Sequence, residues 1–182
     1  MEWKDCTLSA FADALAQPGH APAGGSACAL AAGLAAALCA MTAGLAVKAG
    51  HPDMQPLVEE AHALRAQLMD CVHQDTDAFG AYMQARRAAS TDAAAADDAL
   101  VGATLVPLTV ARHAHRIIAM TRLAVPHCPP AARPDGLAGI ALGQAARSAS
   151  LLNARANAAR LVDENKRAQV LGWIAGEEQK DG

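Results

Sequence analysis

The chain has 182 residues, enough for one domain with a real hydrophobic core, and we expect a single domain over residues 1–182. Its net charge of -3 and pI near 6.1 provide no basic surface of the kind that binds nucleic acid. Hydrophobic residues make up 53% of the chain and aromatic residues only 3%. The high hydrophobic content comes largely from alanine, which makes up about a quarter of the chain. This composition favours helix.

The N-terminal residues and the cysteine pattern favour one cellular compartment, the cytoplasm. Met1–Asp5 is charged and lacks the apolar core of a signal peptide. The five cysteines are odd in number and none forms a C-x-x-C pair, which favours reduced thiols over a disulfide framework. We therefore expect a cytoplasmic protein.

The spacing of apolar residues predicts an all-α bundle of about five to six helices, with no strand pattern. Ser26 is expected to cap the second helix and Asp53 the third. The predicted helices are Leu8–Ala16, Ala27–Val47, Asp53–Arg87, Leu100–Val125, Pro134–Ala159 and Asp163–Ile174.

The second predicted helix is uncharged and rich in small residues. A smooth stripe runs down one face, so another backbone can press against it; its members are Gly33, Ala37, Ala40 and Gly44. Ala27–Val47 is also long enough to span a membrane, but no aromatic belt or basic flank accompanies it. A central helix buried on all sides explains this composition better, and we expect no membrane partner.

A turn at Ala21–Ser26 precedes this helix. Pro22 fixes its own φ and disfavours helical geometry at Ala21. Gly24 and Gly25 allow close approach of a ligand or a neighbouring helix. A helix that starts in this way directs free N–H groups at whatever lies beyond it, which favours anionic or carbonyl oxygens.

Two charged residues stand out near apolar faces. Asp75 lies close to the apolar stripe of the third helix, where a carboxylate is costly unless it is paired or functional, although an ordinary boundary carboxylate fits as well. Asp77, two residues away, cannot share its face. Lys48 is either a plain C-terminal charge that suits the helix dipole or a functional cation.

Other polar positions leave alternatives open. Asp135 can cap the fifth helix, and the amides of Asn153 and Asn157, four residues apart, can bind a heterocycle or another helix. The seven histidines show no chelating pair, and Ser26 has no context for a hydrolase triad. We therefore expect no metal.

Four segments in order resemble the cyclodeaminase/cyclohydrolase family. This family includes the cyclodeaminase domain of formiminotransferase-cyclodeaminase and free-standing bacterial methenyltetrahydrofolate cyclohydrolases. The resemblance spans nearly the whole chain and is carried by Leu8–Lys48, Asp75–Tyr82, Val106–Ala111 and Asp135–Asn157.

The resemblance implies an all-α fold, a homodimer or higher assembly, and a tetrahydrofolate one-carbon substrate with no further cofactor. It also implies that a common site is lined by Gly24, Gly25, Ser26, Lys48, Asp75 and Asp135, and Asn153 and Asn157 join this set as candidate substrate-binding residues. We assign catalysis to Asp75 and Lys48, as an acid–base and cation pair.

The chain departs from the family pattern at three places. Ala23 replaces the first of three glycines, and Pro134 replaces the serine before Asp135. Asn153–Asn157 is smaller and more charged than the bulky family segment. The last two changes leave open an altered substrate or weakened activity.

The residues support three classes of function. The first is an enzyme that hydrolyses 5,10-methenyltetrahydrofolate to 10-formyltetrahydrofolate, with formiminotetrahydrofolate cyclodeaminase, which releases ammonia, as the alternative. The second is a non-catalytic helical module that binds folate or a protein. The third is a membrane-associated helical protein, suggested only by Ala27–Val47.

Overall fold

The computed structural model describes residues 3–19, 21–88 and 93–181, and its regular structure there is entirely helical. The expected all-α class is confirmed. Short 3-10 turns precede, connect or follow six α-helices, and the bounds of these helices are α1 Leu8–Leu15, α2 Gly24–Lys48, α3 Gln55–Arg87, α4 Ala93–Ala124, α5 Arg133–Ala158 and α6 Glu164–Glu178.

Helices α2 to α5 form an up-down-up-down bundle. Helix α2 packs against α3 and α5, and α4 completes the ring against the same two helices. The glycines of α5 allow close approach between helices, because a Cβ at Gly139 would lie 3.0 Å from the Cβ of Leu38 on α2. Small side chains therefore substitute for bulky ones in bringing these helices together.

Two cores stack along the bundle. The first lies among α2 to α5 and includes Leu68, Ile117 and Met120, all fully buried. The second lies where α6 packs on α4 and α5, and it includes Leu100 and Ile174. Helix α3 and the first part of α4 extend past the start of α2, which leaves a recess at that end of the bundle.

Two expected helix caps are wrong. Helix α2 begins at Gly24 with Ala23 as N-cap, so Ser26 lies inside the first turn and its hydroxyl is used elsewhere. Helix α3 begins after a 3-10 turn at Pro52–Met54, and Asp53 belongs to that turn. In both cases a proline or glycine turn continues directly into helix without a side-chain cap.

Helix α2 is central but not buried on all sides. Leu34 is 46% exposed and Met41 is 40% exposed, and their spacing of about two turns places them on one face of the helix. The expectation of complete burial is therefore wrong for this face, while the small residues Ala32, Ala36 and Ala43 lie fully in the core.

Among the residues that the structure describes, two helices are long and apolar enough to cross a membrane by length and composition alone: Gly24–Lys48 and Ala94–Ala124. Half of each apolar stretch is buried inside the bundle, and core helices of soluble proteins pass the same test. This property is therefore weak support for a membrane protein.

Candidate functional site

A cavity of about 190 Å³ occupies the recess at the start of α2. Four helices contribute to it, and most of the residues that the sequence singled out lie there. Its lining consists of Ala23, Gly24, Gly25, Asp75, Phe79, Pro107, Asn153, Ala156, Asn157 and Arg160.

The Asp75 carboxylate lies against the first turn of α2. Its Oδ2 accepts a hydrogen bond of 3.0 Å from the Ser26 hydroxyl. A Cβ at Gly25 would overlap the carboxylate, with Oδ2 only 2.6 Å away. The glycine therefore provides the space that the carboxylate occupies, so an oxygen of the protein itself lies against this helix start. Gly24 and Gly25 also line the cavity, and their role in binding ligand oxygens stays a prediction.

Burial raises the pKa of the Asp75 carboxyl above its ordinary value. Hydrogen bonds from the hydroxyl and the backbone N–H of Ser26 lower the pKa, but they only partly offset the loss of hydration. The positive end of the α2 dipole also favours the ionised form. The pKa of Asp75 is thus shifted toward neutral pH, a direction that favours acid–base catalysis.

Asp77 does not share this environment. It is exposed, and its Oδ2 lies 3.5 Å from Nε2 of His73. The prediction that only one of the two aspartates points inward is confirmed, and it is Asp75.

The amides of Asn153 and Asn157 line the cavity from one face of α5. Both residues are half-buried. The Asn153 amide nitrogen lies 3.8 Å from the Cys28 sulfur, and a Cβ at Gly24 would lie 3.8 Å from the same amide. Asn153 is therefore positioned by α2, and both amides are placed to donate and accept hydrogen bonds into the cavity.

Arg160 is the cation of this cavity, and the sequence analysis missed it. It follows Asn153 and Asn157 at i+7 and i+3, a helical spacing that could have revealed it. The backbone just after it is anchored, because the buried Asp97 accepts hydrogen bonds from the N–H groups of Val162 and Asp163. The guanidinium provides a site for an anionic group.

An apolar cavity of about 440 Å³ adjoins the first one. Phe79 lines both cavities, and Thr76, next to Asp75, lines the second. Met83 and Arg87 lie at its far end. The two cavities together offer a polar end with a carboxylate and an apolar extension, which suits a ligand larger than 190 Å³.

Lys48 and Asp135 lie at the opposite end of the bundle. Lys48 ends α2, 24 residues after Gly24 or about 36 Å away at the standard helical rise. Asp135 is exposed in the first turn of α5, whose N-cap is Ala132 rather than Asp135. Within one chain these two residues therefore do not join the other candidate site residues.

A larger cavity of about 390 Å³ lies between α4 and α5, remote from Asp75. Arg122, Arg147 and Lys180 line it. Arg147 donates to the backbone carbonyl of Glu177, and Lys180 pairs with the Glu177 carboxylate at 2.6 Å. These contacts hold the C-terminal helix in place, so we assign the site to the smaller cavity with the perturbed carboxyl. Across the described ranges, no group of three or more metal-ligating side chains is placed to hold an ion.

Comparisons with known proteins agree with the resemblance drawn from the sequence. The crystal structure of formiminotetrahydrofolate cyclodeaminase from Thermotoga maritima matches with a TM-score of 0.89 and 24% identity, over 98% of this chain and 91% of that chain. No curated protein matches. The structural likeness shows a common fold, and the expected class of folate one-carbon enzyme is confirmed at the level of the family. The model of the formiminotransferase-cyclodeaminase family matches residues 7–174, so the chain belongs to this family.

Proposed function

We propose that this chain is a formiminotetrahydrofolate cyclodeaminase, in which Asp75 is the acid–base residue. The single observation that carries the proposal is the half-buried Asp75 carboxyl of raised pKa, which lines a cavity with two amides and a cation. The family name and the activity of the Thermotoga maritima protein support a deaminase over the hydrolase that the sequence analysis placed first.

The reaction requires proton transfers that one carboxylate can serve. The N10 nitrogen of the folate attacks the formimino carbon and forms a ring, and its proton passes to the Asp75 carboxylate. The protonated Asp75 then delivers that proton to the amino group, which leaves as ammonia when its bond to carbon breaks. Starting from the protonated formimino group, the products are the methenyl cation and ammonia, so atoms and charge balance.

The ionised form of Asp75 also stabilises the cationic product. The methenyl bridge is an amidinium, and a half-buried carboxylate interacts more strongly with such a cation than a carboxylate in bulk water does. Because the Ser26 hydroxyl holds the carboxylate in place, little reorganisation is needed as charge develops.

Substrate binding follows from the remaining lining. The amides of Asn153 and Asn157 match the donor and acceptor edges of a pterin ring. The ring of Phe79 offers an apolar surface between the two cavities, and Arg160 offers a partner for a carboxylate of the glutamate moiety.

The test compares both candidate substrates with purified protein. With formiminotetrahydrofolate, we expect ammonia release and a matching rise in methenyltetrahydrofolate absorbance. With methenyltetrahydrofolate alone, a deaminase should not accelerate the loss of absorbance, which should proceed at the rate seen in buffer without protein. Accelerated loss of that absorbance without ammonia release would instead identify the cyclohydrolase.

A binding module predicts a third outcome. Folate would then bind, as measured by calorimetry, without turnover of either substrate. This result would contradict the proposed enzyme.

We further propose that the protein is a cytoplasmic homodimer. The five cysteines are all free thiols, which fits a reducing compartment. The exposed apolar face of α2 supports self-association. Light scattering coupled to gel filtration measures the assembly, and a mass of one chain would contradict it.

A further inference from the structure

The cavity of about 390 Å³ between α4 and α5 shares no lining residue with the Asp75 cavity. We call it the α4–α5 cavity. Its polar lining comes from α4, from α5 and from the turn after α6, and consists of His115, Arg122, Gln144, Arg147, Ser148 and Lys180. Among the described residues, no carboxylate side chain lines it. Its volume lies in the range of small-molecule sites, roughly 300–1,000 Å³.

We propose that the α4–α5 cavity binds a sugar phosphate, with Arg122, Arg147 and Lys180 as the residues that hold the phosphate group. This site is separate from the proposed folate site and does not depend on it. Four observations carry the proposal: the helical spacing of the polar side chains, a guanidinium fixed in place, the local charge, and the neutral part of the lining.

The two helices present their polar side chains on facing surfaces. His115 and Arg122 are seven residues apart, so they lie on one face of α4. Arg147 and Ser148 follow Gln144 by three and four residues, which places all three on one face of α5. The cavity is therefore built mainly on two rigid helices rather than on loops, as a site of defined geometry requires.

Arg147 is the most enclosed cation of the cavity, with only 7% of its surface exposed. Its Nη2 donates a hydrogen bond of 2.6 Å to the backbone carbonyl of Glu177, which fixes the position of the guanidinium. A guanidinium carries five N–H donors in a planar fork, and this geometry matches two oxygens of a phosphate group. Because the side chain is already held, little conformational entropy is lost when it binds a ligand.

The charge around the cavity favours an anion. Nζ of Lys180 lies 2.6 Å from the Glu177 carboxylate, and Nε of Arg112 lies 3.0 Å from the same carboxylate. One carboxylate is thus shared by two cations and cannot neutralise both. Arg122, which is exposed, adds a further positive charge from α4. A phosphate monoester, with a charge of about -1.5 to -2 and three acceptor oxygens, matches several cations better than a single carboxylate does.

The neutral lining favours a sugar as the rest of the ligand. The Gln144 amide and the Ser148 hydroxyl can donate and accept hydrogen bonds with sugar hydroxyl groups. Ile118 and Ala119 provide a small apolar surface, and Gly143 allows α4 and α5 to approach there, because a Cβ at this position would lie 2.9 Å from Cγ1 of Ile118. Of the lining residues that the structure describes, none is phenylalanine, tyrosine or tryptophan, so a nucleobase would lack a large ring to stack on.

The experiment titrates the purified protein with glucose 6-phosphate by calorimetry in a phosphate-free buffer of low ionic strength. We expect saturable binding with a dissociation constant of about 1 mM or lower, and no comparable binding of glucose. The affinity should fall as salt is added, because salt screens the attraction between opposite charges. Absence of saturable binding, or equal binding of glucose, would overturn the site.

Two further titrations test the sugar. Inorganic phosphate should bind more weakly than glucose 6-phosphate, because it makes no contacts through sugar hydroxyl groups. Adenosine monophosphate should also bind more weakly, because its base gains no stacking partner. Equal or tighter binding of either compound would overturn the assignment to a sugar phosphate.

A pair of variants tests the location. Arg122→Gln removes an exposed cation of the cavity and should fold like the parent protein, and its affinity for glucose 6-phosphate should fall by about tenfold or more, because a charge-assisted hydrogen bond is lost. Arg65→Gln makes the same change at an exposed position of α3 outside the cavity and should bind like the parent protein. Unchanged affinity in Arg122→Gln, or an equal loss in both variants, would overturn the proposed site.

Discussion

The two ends of α2 differ in everything except their helical geometry. At the N-terminal end, Gly25 and Ser26 hold a carboxylate of raised pKa inside a cavity. At the C-terminal end, Lys48 is exposed and the helix closes through Gly50, whose φ is 101°. The dipole of a helix favours an anion at the first end and a cation at the second. The comparison teaches that the candidate site of one copy lies at a single end of the helix.

The largest expected effect comes from Gly25, which makes room for Asp75. Gly25→Ala introduces a methyl group where the carboxylate lies, so the carboxylate must move and turnover should fall by about 100-fold or more. Gly24→Ala is the matched control, since its Cβ meets only the Asn153 amide at 3.8 Å and turnover should change by a few-fold at most. Steady-state kinetics on both variants check this, and equal losses would contradict a special role for Gly25.

The next effect concerns Arg160, the cation that the cavity of one chain contains. Arg160→Ala should raise KM by about tenfold with a smaller change in kcat, because a charge-assisted hydrogen bond to a substrate carboxylate is lost. Arg155→Ala provides the control, because Arg155 is exposed near the end of α5, shortly before Arg160, and pairs with Glu178. If KM is unchanged in Arg160→Ala, the substrate carboxylate does not bind there.

Ser26 should give a smaller but more diagnostic effect. Ser26→Ala removes the hydroxyl that lowers the pKa of Asp75, so the acidic limb of the pH–rate profile should move to higher pH. We expect a loss of a few-fold in kcat near neutral pH. Ser148→Ala, at an exposed position of α5, should leave the profile in place. An unshifted profile in Ser26→Ala would mean that the titration of Asp75 does not control the observed rate.

The smallest effect is on stability. The pKa of Asp75 is raised in the folded state, so its contribution to stability is present below the ordinary pKa of an aspartate and is lost as pH rises through the raised value. Asp75→Asn cannot ionise, so the variant does not lose this stability as the pH rises. The variant should therefore gain Tm relative to the parent protein at pH 8 but not at pH 4, as measured by calorimetry, and the opposite trend would mean that Asp75 is stabilised as an anion.

Much of this architecture could be predicted from the sequence. The spacing of leucines and alanines indicates the helices, and Pro18-Gly19 and Gly50-His51-Pro52 mark the ends of two of them. Asp75 is expected to point inward, and Asp77 is not, because the sequence spacing of Asp75 from Val72 and Phe79 places it beside the apolar stripe of the helix.

Other features depend on contacts between distant residues. Whether Ser26 caps its own helix or donates to Asp75, 49 residues away, depends on how α2 and α3 pack. Arg160 lines the cavity, and the backbone just beyond it is held by Asp97, a contact across 65 residues that no local pattern indicates. The position of Lys48 relative to Asp75 likewise depends on the packing, because α2 places Lys48 at the end of the bundle opposite the Asp75 cavity.

The central claim is that the Asp75 carboxylate performs the proton transfers of a folate deaminase. It is tested most directly by Asp75→Asn, which keeps the shape of the side chain and removes its acid–base function. The account predicts that ammonia release from formiminotetrahydrofolate falls by about 100-fold to 10,000-fold while the dissociation constant for folate changes little. Full turnover by Asp75→Asn with intact folate binding would contradict it.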